Sequence, residues 1–382
     1  MIYFDYAATS YPKPPVVVDA VRNYMERIGA NPGRGSHTLA ASSARVVFDA
    51  REALARLLGI NDSRHLFWTP NATTGINVVL SGYLRSGDHV VTTSMDHNAV
   101  LRPLNRLRSE RNLRVSVVQC DQLGRVDPSD VAELVTPQTK LVVLNHASNV
   151  CGTLQPLAGI REAIGSVPLL VDAAQTAGVV PIDVVAQGID LLAVTGHKGL
   201  LGPQGTGALY IRPGLERKIA PLICGGTGSH SESTEQPDFL PDRFESGTQN
   251  GAGIAGLGAA VNWLQQYGIQ QISQHEQGLC QRLLDGLQAI RGITAYGPPD
   301  AASRTAVVSI NLQGWLPNEL GLALDRRYGI LCRVGLHCAP SAHETLGTYP
   351  QGTVRLSLGY ASTAEEVDHA LAALAELAQE QR

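Results

Sequence analysis

The sequence DLLAVTGHKGLLGP, residues 190–203, has the pattern of a buried strand that delivers a lysine into a glycine-rich turn. The apolar run 191–194 is of strand length, and Lys198 stands directly before Gly199. Strands of parallel sheets end in crevices where ligands bind. A lysine amine held in such a crevice can form a Schiff base with an aldehyde cofactor.

A second apolar run, PLLVDAA at 168–174, ends in the same manner at Asp172. A carboxylate in that place can keep the pyridine nitrogen of pyridoxal 5'-phosphate (PLP) protonated, so that the ring acts as an electron sink. Each residue alone also has an ordinary explanation, because Asp172 can cap the following helix and Lys198 can be a solvated loop lysine. Their position at the ends of consecutive strands favours PLP chemistry.

Apolar runs of strand length alternate with helical patterns over the first 211 residues. The predicted strands are 65–69, 89–93, 115–119, 141–145, 169–172, 191–194 and 208–211. A helical pattern covers 45–58, and others lie between most of the strands. This alternation predicts an α/β fold with a mainly parallel seven-stranded sheet that has helices on both faces.

The pattern changes after residue 212, which indicates a second, smaller α+β domain at the C-terminus. A long helical stretch at 252–290 leads to strands near 305–312 and 353–358 and to a final helix at 365–377. We expect residues 1–14 to form an arm that joins the small domain. The large cofactor-binding domain would cover 15–250, and 251–382 would hold the linking helix and the small domain.

The composition excludes several classes of protein. A formal charge of -4 over 382 residues, with no run of lysine or arginine, gives no reason to expect a nucleic-acid partner. No apolar stretch has the length of a membrane span, and the N-terminus lacks the apolar segment of a signal peptide. We therefore expect a cytoplasmic protein. Its six cysteines would stay reduced, and most would pack as small hydrophobic residues.

The two strand ends carry the motifs VDAAQ at 171–175 and TGHK at 195–198. These motifs resemble the core of the class V aminotransferase group of fold-type I PLP-dependent transferases, and especially its cysteine desulfurases. The resemblance runs almost end to end. It implies PLP as the cofactor and a desulfurase activity that converts L-cysteine to L-alanine. Lys198 would hold the cofactor and move the Cα proton, while Asp172 would face the pyridine nitrogen and Gln175 the ring hydroxyl.

The same resemblance assigns the remaining cofactor contacts. His97, in the motif Met95-Asp96-His97-Asn98, would stack on the cofactor ring, and Asn149 would lie beside the cofactor and the substrate carboxylate. The phosphate would be bound by Ala72, Thr73, Thr195, His197 and, from the neighbouring subunit of a homodimer, Thr248. The residues alone give weaker support at 70–75, because free NH groups at a helix start bind anions but Asn71 can equally be a simple N-cap.

Substrate contacts follow from the resemblance as well. Arg355 lies in the alternating segment TVRLS at 353–357, where a buried guanidinium needs a carboxylate partner. That partner is commonly an acid of the protein, whereas the family pattern gives the arginine to the substrate α-carboxylate. Arg34 and His37, in the turn-rich segment NPGRGSHTLA at 31–40, would contact the substrate from an arm over the site.

The segment RVGLHCAP at 333–340 supplies the candidate nucleophile, Cys338. A free cysteine has a pKa of about 8.5, and we expect His337 and Arg333 to favour its thiolate. Cys338 can also be a buried structural cysteine. A zinc site made of Cys332, His337, Cys338 and His343 lacks the usual paired spacing. The pattern Arg-x-Gly-x-His-Cys-Ala resembles the catalytic loop of group II cysteine desulfurases, although Leu336 replaces a histidine that many of them carry.

Other functions compete with a desulfurase that passes the persulfide sulfur of Cys338 to an acceptor protein. A selenocysteine lyase acting on L-selenocysteine and a cysteine or cystine C–S lyase would use the same PLP apparatus. A PLP-binding sulfur-relay partner would lack turnover. A nicotinamide oxidoreductase is suggested only by GAGIAG at 251–256, which fits GxGxxG. No hydrophobic strand precedes it, and no acidic residue ends a second strand about 20 positions on, so we interpret these glycines as helix packing.

Overall fold

A computed structural model describes residues 1–33 and 35–380 of the chain. The strands are β1 (Ile2–Tyr3), β2 (Leu66–Thr69), β3 (His89–Thr93), β4 (Arg114–Val118), β5 (Thr139–Asn145), β6 (Leu169–Asp172), β7 (Leu191–Thr195), β8 (Gly207–Ile211), β9 (Ile293–Tyr296), β10 (Val307–Leu312), β11 (Ile330–Leu331), β12 (Arg333–Gly335) and β13 (Thr353–Ser357). The helices are α1 (Pro15–Asn23), α2 (Thr38–Leu57), α3 (Ala72–Tyr83), α4 (Asn98–Arg111), α5 (Pro128–Leu134), α6 (Leu157–Ala163), α7 (Gly251–Tyr267), α8 (Ile269–Gln288), α9 (Pro317–Tyr328), α10 (Pro340–Thr345) and α11 (Ala364–Ala378).

The large sheet has seven strands in the order β2-β8-β7-β6-β5-β3-β4. Strand β8 runs antiparallel to its neighbours β2 and β7, and the other neighbouring pairs are parallel. The central strands are buried along their whole length, as expected for a sheet with helices on both faces. The predicted mainly parallel seven-stranded sheet is confirmed, and the predicted strand bounds agree to within about two residues.

The order of the strands positions the site. Strands β7, β6, β5 and β3 are consecutive neighbours in the sheet, so their carboxyl ends lie side by side at one edge. Lys198 follows β7, Asp172 ends β6, Asn149 follows β5 and His97 follows β3. Residues that are far apart in the sequence are therefore brought together where parallel sheets bind ligands.

The C-terminal part has its own sheet, β12-β13-β10-β9, whose neighbouring strands are all antiparallel. Apolar residues of α8, α9 and α11 pack on it and form a second core. The N-terminal arm reaches this part of the molecule, because β1 pairs with β11 and Asp5 bridges to Ser357 at the end of β13. The division into an arm that joins the small domain, a large domain and a small domain, with limits at residues 14 and 250, stays a prediction.

Three helical features differ from the sequence-based expectation. Helix α2 begins at Thr38 rather than at 45, and α1 lies in a stretch where no helix was predicted. The helical stretch 252–290 is two helices, which break at Gly268 with a φ of 96°. The glycines at 251–256 lie in α7, where a Cβ on Gly256 would meet Pro203 and Val21 at 2.7 Å. Their interpretation as tight helix packing is confirmed.

Candidate active site

The four neighbouring strand ends line a cavity of about 200 Å³. Its walls hold the polar groups that the sequence motifs singled out, together with small apolar residues. They are Asn71, Ala72, Thr73, His97, Ala99, Asn145, Ala147, Asn149, Asp172, Ala174, Gln175, Thr195, His197 and Lys198. Nine of the residues predicted to bind a cofactor thus meet in one cavity: Ala72, Thr73, His97, Asn149, Asp172, Gln175, Thr195, His197 and Lys198.

The amine of Lys198 is prepared for nucleophilic chemistry by its burial. The pKa of Lys198 is lowered from 10.5 to about 8, chiefly by burial, and the positive charges of Arg355 and Arg333 contribute in the same direction. The nearby charge of Asp172 acts in the opposite direction and limits the fall. A substantial fraction of the amine is therefore neutral near pH 8, and a neutral amine is the form that attacks a carbonyl carbon.

Asp172 and His97 line the same cavity, and their surroundings shift the pKa of each in opposite directions. Burial raises the pKa of the Asp172 carboxyl, which accepts a hydrogen bond from the Ala174 N–H at 3.0 Å. His97 caps α4, because its Nδ1 accepts the Ala99 N–H at 3.0 Å. Burial, together with the charge of Lys198, lowers the pKa of His97 to about 4, so the ring is neutral at physiological pH. A neutral imidazole fits a stacking role better than a charged one.

His97 is held in place by an acid that sequence reasoning left without a role. Asp96 is fully buried and accepts the Thr93 N–H at 2.7 Å and the Asn145 N–H at 3.1 Å. The first bond closes the turn after β3, and the second joins that turn to the end of β5. Asp96 thereby fixes the backbone from which His97 enters the cavity.

The part of the cavity lined by the start of α3 is suited to an anion. Helix α3 begins at Ala72, and its N-cap is Asn71, whose side chain accepts the Thr74 N–H at 2.9 Å. The N-cap explanation of Asn71 is thus confirmed, and the helix N-terminus still points its partial positive charge into the cavity. Thr195 and His197 also line this cavity, with Thr195 Oγ1 3.2 Å from His197 Nδ1.

The turn that carries Lys198 is anchored by the N-terminal arm. The carbonyl oxygen of His197 accepts hydrogen bonds from the Ser10 N–H at 2.8 Å, Lys13 Nζ at 3.0 Å and Thr9 Oγ1 at 3.1 Å. Burial lowers the pKa of Lys13 to about 8. Sequence reasoning missed this anchor, since nothing in the motif around Lys198 indicates which distant segment covers it.

Arg355 lies on β13 with its side chain almost completely buried, at 3% exposure. Its NH1 donates to the Asn149 carbonyl at 2.9 Å, and its NH2 donates to Asp5 Oδ1 at 3.1 Å. The protein acid expected from the burial of this arginine is therefore Asp5, on the N-terminal arm. Sequence reasoning missed Asp5, because its only signal is an acidic residue in an otherwise apolar strand-like start.

The loop that carries Cys338 is tied to the strand-end cluster by backbone hydrogen bonds. The Asn98 N–H donates to the Cys338 carbonyl at 2.8 Å, and Asn149 Nδ2 donates to the His337 carbonyl at 2.6 Å. His337 and Cys338 both have left-handed backbones, with φ of 47° and 59°. Such conformations cost a residue with a side chain roughly 1 kcal/mol each, so this turn is imposed by its surroundings.

The expectation that His337 favours a Cys338 thiolate by its charge is wrong. His337 is buried with Nε2 at 3.0 Å from Thr353 Oγ1, and burial and the charge of Arg355 lower its pKa to about 2. A neutral ring cannot stabilise an anion through its charge. Cys338 itself is exposed, so the alternative of a buried structural cysteine is also wrong. Cys224 is likewise exposed, and all six cysteines of the described chain are free thiols.

Two predicted site residues, Thr248 and His37, lie elsewhere in the described part of the chain. Thr248 lines a separate cavity of about 320 Å³, and its Oγ1 is 3.5 Å from Asn31 Nδ2. His37 is the N-cap of α2 and accepts the Ala40 N–H through Nδ1 at 3.3 Å. Arg34 falls outside the described residues. The predicted roles of these three residues in phosphate and substrate binding stay predictions.

The strand-end cavity fits the predicted cofactor. It combines an amine with a lowered pKa, a buried carboxylate, a neutral imidazole and a helix N-terminus, which are the groups that PLP needs at its aldehyde, pyridine nitrogen, ring face and phosphate. Asn149 Oδ1 is buried without a hydrogen-bond partner among the described residues, as expected for an acceptor that awaits a ligand. Among the same residues, no helix is long and apolar enough to cross a membrane.

The chain has the α/β fold of the fold-type I group of enzymes, with a large, mainly parallel sheet. The family model for class-V aminotransferases matches residues 2–370, and the chain belongs to that family. A probable cysteine desulfurase of Methanothermobacter thermautotrophicus is 37% identical, with 96% of this chain and 92% of the relative aligned. Another, from Halalkalibacterium halodurans, is 34% identical over 96% of this chain and 91% of its own length.

Solved structures agree with the sequence relatives. The apo structure of a cysteine desulfurase from Thermococcus onnurineus NA1 superposes with a TM-score of 0.93 at 32% identity, covering 99% of this chain and 94% of that one. The cysteine desulfurase CsdA from Escherichia coli gives 0.87 at 30% identity, with 98% and 94% covered. The predicted family and fold are confirmed.

Proposed function

We propose that this chain is a PLP-dependent cysteine desulfurase, which converts L-cysteine to L-alanine and keeps the sulfur as a persulfide on Cys338. The observation that carries the proposal is the position of the thiol. Cys338 is exposed on a loop that is bonded to Asn98 and Asn149, so the loop is joined to the cavity that holds Lys198. The names of the relatives point to the same activity.

The substrate would be oriented by its carboxylate and its amino group. Arg355 offers a buried guanidinium whose Nε has no partner among the described residues, next to the free Oδ1 of Asn149. An arginine fork matches a carboxylate in a bidentate manner. With the carboxylate on Arg355, the substrate amino group would lie toward Lys198 and its sulfur toward the Cys338 loop.

PLP, when bound, supplies the electron sink that makes the Cα proton and the Cβ–S bond labile. Lys198 would accept and return protons at the substrate carbon, since its pKa of about 8 leaves both protonation states populated near neutral pH. Asp172 would hold the proton on the ring nitrogen, His97 would cover the ring face, and Gln175 would reach the ring hydroxyl. Ala72, Thr73, Thr195 and His197 would hold the phosphate.

The sulfur transfer balances without an external oxidant. The Cys338 thiolate attacks the substrate sulfur, the S–S bond forms, the Cβ–S bond breaks, and the electron pair stays on Cβ, which is then protonated. L-cysteine and the thiol thus become L-alanine and the persulfide. Exposure of Cys338 leaves that sulfur accessible to an acceptor protein, whose identity nothing in the site specifies.

We further propose that the working unit is a homodimer in the cytoplasm. Thr248 belongs to a segment whose neighbours Leu222 and Ile223 are exposed apolar residues lining an adjacent cavity. A second copy that covers this surface would bury them and could bring Thr248 to the partner's phosphate site. We also propose that residues 1–14 form the arm, that 15–250 form the large domain, and that 251–382 form the linking helix and the small domain.

Product analysis with L-cysteine tests this function. Purified enzyme and the Cys338→Ala variant are incubated with L-cysteine and a reductant, and alanine, pyruvate and sulfide are quantified, with exposed Cys224→Ala as the matched control. A desulfurase forms alanine in the wild type and the control but not in Cys338→Ala. Pyruvate that survives the mutation would identify a C–S lyase instead, and a parallel assay with L-selenocysteine separates the selenium lyase.

A further inference from the structure

Two arginines face each other beside the cavity. Strands β12 and β13 are antiparallel, and their register places Arg333 directly opposite Arg355. Like charges in directly opposed positions of a sheet destabilise the pairing. The carboxylate of Asp5 lies between the two guanidinium groups and contacts both of them. One acid of the N-terminal arm therefore serves two cations.

Asp5 is shared unequally between them. Arg333 binds Asp5 through two nitrogens of its guanidinium group. Its Nε donates to Oδ1 at 3.1 Å and to Oδ2 at 3.2 Å, and its NH2 donates to Oδ2 at 2.9 Å. Arg355 gives Asp5 a single hydrogen bond, from NH2 to Oδ1 at 3.1 Å. Among the described residues, Arg355 Nε has no partner. Arg333 is thus bound in the bidentate manner and Arg355 is not.

Burial makes this division important. The side chain of Asp5 is 15% exposed and that of Arg355 is 3% exposed, whereas that of Arg333 is 50% exposed. Asp5 cannot leave for water, because the arm is fixed by the β1–β11 pairing and by the bridge from Asp5 to Ser357. A carboxylate tethered beside Arg355 has a high effective concentration there. The side chain of Asp5 presents a carboxylate, as the α-carboxylate of an amino-acid substrate would, so the two can compete for Arg355.

We propose that Arg333 is a positioning residue that holds Asp5 away from full pairing with Arg355 and so keeps Arg355 open for the carboxylate of the substrate. The inference rests on the proposed function in one respect, namely that Arg355 binds an amino-acid carboxylate. Without Arg333, Asp5 keeps one cationic partner, closes on the free Nε of Arg355 and competes with the substrate. The way in which Asp5 divides its hydrogen bonds between Arg333 and Arg355 then decides whether Arg355 can bind the substrate carboxylate.

Equilibrium binding of L-alanine to the PLP-loaded enzyme tests the proposal, read from the change in cofactor absorbance. L-alanine has the carboxylate and amino group but no sulfur, so the measurement does not depend on Cys338. We expect Arg333→Gln to raise the Kd for L-alanine by about tenfold or more. Asp5→Asn, which removes the competitor, leaves the Kd at or below the wild-type value. The double variant Asp5→Asn/Arg333→Gln returns to within about threefold of wild type.

Rescue by the second mutation separates this role from a structural one. Loss of a merely structural contact would leave the double variant as weak as Arg333→Gln or weaker, and that outcome, or an unchanged Kd in Arg333→Gln, would overturn the proposal. Arg327→Gln, at an exposed ion pair with Glu380, is the matched control. Arg333→Lys keeps a second cation for Asp5 and should leave the Kd near the wild-type value; if Arg333→Gln fails to fold, Arg333→Met removes the charge in its place, with the same expected rise in Kd. An enzyme that binds L-alanine but makes none from L-cysteine would refute the proposed function and not this inference.

Discussion

The reactivity of Lys198 in the cofactor-free protein should have a midpoint near pH 8 and should depend on Asp172. The pKa of Lys198 falls from 10.5 to about 8, which increases the ratio of neutral to charged amine about 300-fold at a given pH. That change corresponds to about 3 kcal/mol at about 1.4 kcal/mol per tenfold. Because the charge of Asp172 raises the pKa of Lys198, Asp172→Asn should move the midpoint to lower pH.

The assay is trace acetylation of the cofactor-free protein with acetic anhydride over a range of pH, followed by mass spectrometry of the peptide that contains Lys198. The exposed Lys140 corrects for reagent concentration within each sample. Asp127→Asn, a substitution of the same type at an exposed helix N-cap, controls for nonspecific effects. A wild-type midpoint near 10.5, or a midpoint that stays or rises in Asp172→Asn, would refute the reasoning about burial and charge.

Two further predictions concern buried acids outside the cavity. Burial raises the pKa of Glu276 from 4.5 to about 8, so the folded state binds more protons between those values and stability falls as the pH rises through that window. Glu276→Gln should therefore stabilise the protein by about 3 kcal/mol at pH 7 in urea unfolding, with a gain that disappears toward pH 4.5; a gain independent of pH would contradict this. Glu245 forms a bidentate pair with Arg51 at 2.7 and 2.8 Å, with side chains 4% and 7% exposed. Glu245→Gln should lower the free energy of unfolding by about 3 kcal/mol, whereas Asp62→Asn, at the exposed pair with Arg64, should leave the urea midpoint nearly unchanged. Equal effects of the two substitutions would show that burial of the pair is unimportant.

Local patterns predicted the sheet and the residues at its edge because both depend on short stretches of chain. An apolar run such as 191–194 specifies a buried strand, and the small and polar residues after it specify where the strand ends. Lys198, Asp172 and His97 each follow such a run. Their meeting in one cavity then follows from the parallel arrangement, since carboxyl ends of neighbouring strands share one edge of the sheet.

The contacts that the sequence did not predict are those made across long separations. Asp5 reaches Arg355 and Arg333, and Lys13 reaches the His197 carbonyl, through an arm that is placed by strand pairing between the two ends of the chain. Register, rather than local pattern, decides which side chains meet there. The error about His337 has a similar origin, because its neighbour in sequence is Cys338, while its burial against Thr353 is set by the fold.

In the proposed reaction, Cys338 receives the sulfur atom of L-cysteine. This step is tested most directly by mass spectrometry of the alkylated Cys338 peptide after one turnover with sulfur-labelled L-cysteine, in wild-type enzyme and in the Lys198→Ala variant. We expect one added labelled sulfur on Cys338 in the wild type and none in the variant, with the Cys224 peptide unmodified in both. Labelled sulfur released entirely as sulfide while the Cys338 peptide keeps its original mass would contradict it.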